Sequence, residues 1–173
     1  MIYIVRHGET QWVKENRTMG RIDIELNEQG IQQAKQTANK LQNIHFDVVF
    51  SSPLKRALQT AHIITKHLIT EDERIIERCN GELDGKLKSE IPTDFAFNDE
   101  NENRFNIENL RDFNQRVVDF WHDVQTNYQG KNVLVVTHNG VIIMTRVLFE
   151  KTHKGKNLGY LKIDNCEVLT YPN

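Results

Sequence analysis

The chain has 173 residues, 38% of them hydrophobic, and its 22 Lys and Arg against 24 Asp and Glu leave a net charge of −2. That length suits one substantial core, so a single domain over residues 1–173 is expected. Balanced charge excludes a surface built for nucleic acid, and no apolar run approaches the roughly 20 residues of a membrane span.

The first element is a strand over Ile2–Val5, an apolar β-branched run that stops abruptly at Arg6-His7-Gly8-Glu9-Thr10. A loop over Arg17–Glu25 leads to a helix capped by Asn27, with Ile31, Ala34, Ala38, Leu41 and Ile44 at spacings of three and four. A second strand, Phe46–Phe50, runs into Ser51-Ser52-Pro53. Ser52 reads as a helix cap and Pro53 as the first helical residue, with Leu54, Ala57, Ala61, Ile64 and Leu68 on the apolar face. Lys86–Asn106 is polar, carries Pro92, and reads as a solvated excursion, with the sequence leaving open whether it forms a lid.

A third helix shows Leu110, Phe113, Val117, Trp121 and Val124 on one face. The strand Val133–Thr137 then leads to His138-Asn139-Gly140 and a helical run, Val141–Met144, apolar nearly all round and therefore buried. Leu158–Ile163 and Cys166–Tyr171 read as a closing pair of strands. Strands alternating with helices predict an α/β fold, a mostly parallel sheet covered on both faces. The two cysteines, Cys79 and Cys166, share no motif spacing and read as reduced thiols. With no basic-flanked apolar leader, the expected location is the cytoplasm.

Ligands of open α/β sheets bind beyond the carboxyl ends of parallel strands. Here three strands end in Arg6-His7, in Ser51-Ser52-Pro53-Leu54-Lys55-Arg56 and in Thr137-His138-Asn139-Gly140. Each feature alone has a bland reading, as a satisfied histidine or a solvated arginine. Together they gather two imidazoles and two guanidiniums at one sheet edge. Such a set suits phosphoryl transfer: one imidazole attacks phosphorus while positive groups hold the equatorial oxygens. The leaving alkoxide needs a proton, and Glu77, Glu82 and Asp84 all offer a carboxyl. Residue type does not rank them. No cluster of carboxylates or histidines stands at metal-ligand spacing, and no metal or other cofactor is expected.

The strings RHGETQW, LNEQG, SSPLKRALQTA, ERCNGELDG and VLVVTHNGV, with the helix ENLRDFNQRVVDFW and the closing DNCEV, resemble the histidine phosphatase superfamily. The resemblance is to the branch containing cofactor-dependent phosphoglycerate mutases and small-molecule phosphatases. It implies a three-layer α/β/α sandwich and metal-free catalysis. It further implies His7 as nucleophile, Arg6, Arg56 and His138 as phosphoryl holders, and Glu77 as general acid/base. Val13 and Met19 occupy pocket positions where the family carries polar donors, with Gly20 adjacent, and Asn139 replaces a usual glycine. The expected activity is phosphatase, acting on a small phosphomonoester. Mutases of the family are longer, with an insertion after the acid and a tail closing over the site. The alternatives are a cofactor-dependent phosphoglycerate mutase and a non-catalytic phospho-ligand-binding pseudoenzyme. Retention of His7 and Glu77 speaks against the latter.

Overall fold

A computed structural model describes residues 1–95, 97, 99–151 and 158–173. Its elements, in chain order, are β1 (Ile2–Arg6), α1 (Gln11–Lys14), α2 (Glu28–Leu41), β2 (Val48–Ser51), α3 (Lys55–Ile64), β3 (Ile69–Glu71), α4 (Leu110–Asn127), β4 (Val133–Thr137), α5 (Asn139–Phe149) and β5 (Val168–Tyr171). The strands form one sheet in the order β3-β2-β4-β1-β5. All neighbours are parallel except β5, which runs antiparallel to β1 along the edge.

Side-chain alternation explains why the inner strands read as uninterrupted apolar runs. Ile2, Ile4, Phe50, Val133 and Val135 pack on one face with Phe113, Val117, Phe120 and Trp121 of α4 and Val141 and Ile142 of α5. Val5, Val49, Leu134 and Val136 pack on the other with Leu41 of α2 and Ala57 and Ala61 of α3. Both faces are buried, so polar residues find no place until the strands end. This is the three-layer α/β/α arrangement.

Several boundaries differ from the sequence reading. Asn27 caps α2 as expected, its side chain accepting from the Gly30 N–H at 2.8 Å. The helix stops at Leu41, however, leaving Ile44 beyond it, and Ile31 faces solvent. Ser52 and Pro53 precede α3 instead of opening it; Leu54 is the N-cap, because the Ser52 hydroxyl is engaged elsewhere. Leu68 lies past the helix end and is 89% exposed; the chain there is already entering β3, a three-residue edge strand too short to show a period. The expected strand Leu158–Ile163 is a 3₁₀ turn over Gly159–Leu161, so β5 closes the sheet alone. Residues 86–106 hold short 3₁₀ turns at Lys88–Glu90 and Arg104–Asn106 and an aromatic cluster of Phe95, Phe97 and Phe105. The excursion is thus partly packed. Cys79 and Cys166 are both free. No helix among the described residues is long and apolar enough to cross a membrane.

Candidate active site

The sheet order places the ends of β2, β4 and β1 side by side. Arg6 is in register with Thr137, and the His7 N–H donates to the Thr137 carbonyl at 2.9 Å. The Ser52 N–H donates to the Val136 carbonyl at 3.0 Å. His7 and His138 therefore leave adjacent strands together, with ring centroids 5.1 Å apart, and both are buried.

His7 Nδ1 lies 2.7 Å from the Gly8 carbonyl oxygen. A carbonyl only accepts, so Nδ1 carries the ring proton. Burial, reinforced by Arg56 and Arg6, holds the His7 pKa well below its ordinary value. The ring is neutral at pH 7, and its one lone pair resides on Nε2. His138 is neutral for the same causes: burial first, then Arg56, His7, Arg116 and Arg6. Its Nε2 is 2.7 Å from Ser52 Oγ, which also accepts from the Leu54 N–H at 3.4 Å. With that hydroxyl donating to Nε2, the ring proton of His138 sits on Nδ1, a buried atom without a partner.

The two guanidiniums are held by backbone carbonyls, and each keeps a buried Nε without a partner. Arg6 Nη1 donates to the Ile163 carbonyl at 2.6 Å. Arg56, entirely buried in the first turn of α3, donates from Nη1 and Nη2 to the carbonyls of Ile22 and Gly20 at 2.8 and 2.7 Å. The Nε of each is buried and unpartnered. Burial lowers the pKa of both, Arg56 to about 10, so both remain charged at neutral pH. The buried Arg6 Nε, Arg56 Nε and, in that tautomer, His138 Nδ1 thus stand without acceptors beside His7. Unpaired buried donors cost stability unless an anion satisfies them.

Geometry separates the three carboxyls. Glu77 accepts from the Gly140 N–H at 3.2 Å and from its neighbour Arg78 N–H at 3.0 Å, and its charge supports both Arg6 and Arg56. It therefore sits at the first turn of α5, beside His138. Glu82 is exposed and accepts from Asn106 at 2.6 Å. Asp84 is half-buried against Gly20, its Oδ1 without a partner. Asn139 opens α5 with a buried, unpartnered Oδ1. Val13 lies half-buried on α1, and the Met19 sulfur accepts from the Thr10 hydroxyl at 3.1 Å.

The sequence reading missed the groups behind this set. Ser52 orients His138 instead of capping a helix. Asn165 Nδ2 donates to the His7 carbonyl at 2.8 Å. Arg116 of α4 donates to the carbonyls of Arg74, Ile76 and Glu77 and pairs with Glu108, while Arg21 donates to the Glu77 carbonyl at 3.1 Å. The one hint was an arginine standing beside the apolar face of α4, between Phe113 and Val117. Among the described residues no group of three His, Cys, Asp or Glu could hold a metal ion.

The family model for the histidine phosphatase superfamily (branch 1) matches residues 2–171. An uncharacterized phosphatase, PhoE, of Bacillus subtilis (strain 168) is 33% identical over 145 residues, covering 82% of this chain and 72% of the relative. A 2,3-bisphosphoglycerate-dependent phosphoglycerate mutase of Nautilia profundicola is 30% identical over 183 residues, covering 82% and 80%. Among solved structures, a mycobacterial glucosyl-3-phosphoglycerate phosphatase complexed with VO3 shares the fold at a TM-score of 0.84 and 24% identity. That superposition covers 96% of this chain and 90% of the other.

Proposed function

The chain belongs to branch 1 of the histidine phosphatase superfamily, and we propose that it hydrolyses small phosphomonoesters through a phosphohistidine formed on His7. The observation that carries the reading is the proton on His7 Nδ1, fixed by the Gly8 carbonyl. It leaves Nε2 as a lone pair in a buried, cationic setting, which is what attack on a phosphate dianion requires.

In the first step His7 Nε2 forms a bond to phosphorus as the ester P–O bond breaks. Arg6 Nε, Arg56 Nε and His138 Nδ1 accept the charge that gathers on the equatorial oxygens, in a site already organised around them. Glu77, having taken the proton of the bound phosphate monoanion, gives it to the leaving alkoxide. In the second step water attacks phosphorus, Glu77 takes the water proton, and the N–P bond breaks to return neutral His7 and inorganic phosphate. Arg116 and Arg21, through the Glu77 carbonyl, and the Gly140 N–H, through the carboxylate, keep the acid in place.

Relatives of both kinds match the chain, and we favour hydrolysis over isomerisation because one matched mutase carries residues that this chain lacks. The Bacillus phosphatase spans 82% of the chain in 145 positions, whereas the Nautilia mutase needs 183 positions for the same share. The mutase therefore carries residues inside the matched region that this chain lacks. A mutase must keep water from its phosphohistidine while the intermediate turns, and inserted segments are a means of doing so. The test is a phosphomonoester panel scored for phosphate release, with 3-phosphoglycerate primed by its bisphosphate scored for 2-phosphoglycerate. Phosphate release from some monoester should exceed isomerisation by a wide margin. Fast isomerisation with negligible phosphate release would establish the mutase reading instead.

A further inference from the structure

Both terminal nitrogens of Arg56 donate to backbone carbonyls of one turn, Gly20 and Ile22, so that turn sets where its unpartnered Nε points. The turn is closed by the Ile22 N–H donating to the Met19 carbonyl at 2.9 Å, and Gly20 within it has φ +45°, in the left-handed region that favours glycine. What rests on it is Asp84. A Cβ on Gly20 would lie 2.1 Å from Asp84 Oδ1 and 2.7 Å from Oδ2, so the carboxylate occupies the space the missing side chain leaves. Two strips of chain hold Asp84 there. The Gly85 N–H donates to the Thr18 carbonyl at 3.0 Å and the Thr18 N–H to the Lys86 carbonyl at 2.9 Å. Asp84 Oδ1 is buried and has no partner of its own, while the Asn80 side chain and the backbone N–H of Arg21, within the turn, stabilise the carboxylate. Its charge, with those of Glu77 and Asp23, offsets the burial of the Arg56 guanidinium, while burial pushes its own pKa up.

We propose that Asp84 is a positioning residue: it seats the Gly20–Ile22 turn and thereby aims Arg56 at the phosphoryl group. It neither touches the phosphoryl group nor passes a proton. The inference rests on the phosphatase reading for the identity of the ligand, but a binding measurement tests it without turnover.

The probe is inorganic phosphate, titrated calorimetrically into wild type, Asp84→Ala, Arg56→Lys and the double variant. Asp84→Asn, which keeps the shape, is the second variant should the alanine protein fail to fold. Asp84→Ala should weaken phosphate binding about tenfold, and Asp84→Asn by less. In the Arg56→Lys background, where the fork to Gly20 and Ile22 is gone, either Asp84 variant should cost nothing further. A merely structural role would lower both backgrounds equally, and that result overturns the proposal; so does unchanged phosphate affinity in Asp84→Ala. A proton donor would show as a kcat loss larger for alkyl than for aryl phosphates at unchanged phosphate affinity, which also overturns it. Failure of the phosphatase reading has a separate signature, phosphate bound normally by a protein that forms no phosphohistidine.

Discussion

At the scale of single residues, the chemistry turns on two imidazoles kept neutral by burial among cations. Both have pKa values below those of the unfolded chain, near 6.5. Below that pH the unfolded state binds protons the folded state refuses, so stability is fully present above about pH 6.5 and is lost as the pH falls. Denaturant unfolding at pH 7.5 and 5.5 should show a loss of about 1 kcal/mol per histidine, and His138→Gln should remove about half of it. A stability gap that does not change between the two pH values would contradict the neutral pair. Glu77 belongs to the same scale. Glu77→Gln should cut kcat on alkyl phosphates by about 10²–10⁴-fold and on aryl phosphates, whose leaving groups need little help, far less. Equal losses would move the acid elsewhere. The sequence supplied His7, His138, Arg6 and Arg56 because strand ends advertise them. Residue type left Glu77, Glu82 and Asp84 level and only the resemblance singled out Glu77, whereas the fold places Glu77 at the Gly140 N–H and Glu82 in solvent.

Elements enter the chemistry where one helix end meets the acid. A Cβ on Gly140 would lie 2.3 Å from Glu77 Oε1, the mobile end of a side chain that would have to retreat. Gly140→Ala should therefore keep or gain stability, since alanine favours the helix by about 1 kcal/mol, yet lose activity on alkyl phosphates. Retained alkyl activity would show that Glu77 is not held by α5. The contact between α4 and α5 has a different test. Trp121 Nε1 donates to Thr145 Oγ1 at 2.7 Å within the core. Thr145→Val orphans that indole and should cost about 1–3 kcal/mol in denaturant unfolding, with kcat nearly unchanged at low temperature. Helices with long apolar stripes, such as α4, were legible from their period alone. The short pieces were not: β3 has three residues, and the 3₁₀ turn at Gly159–Leu161 shares its apolar residues with what reads as a strand. Ser52 was misread because its hydroxyl pairs with His138, 86 residues away in sequence, which outweighs its local capping preference.

For the whole molecule, the parallel sheet makes the candidate site: β2, β4 and β1 end together, so Arg6, His7, Arg56 and His138 converge from distant segments. Alternation of strands and helices predicted that convergence, and Cys166–Tyr171 reads as a strand, whereas its antiparallel place beside β1 became visible only with the pairing of Ile2–Val5 to Val168–Tyr171. Because the positive charge at the site comes from Arg6 and Arg56, activity should survive EDTA; loss on chelation with restoration by a divalent ion would overturn that assignment. The central claim, a phosphoryl group carried on His7 Nε2, is tested most directly by trapping it. Brief incubation with a reactive phosphomonoester, followed by rapid quench and peptide mapping, should place phosphate on His7, labile in acid and stable in base. His7→Ala should neither label nor turn over. Phosphate found on a serine or cysteine, or turnover by His7→Ala, would contradict the account.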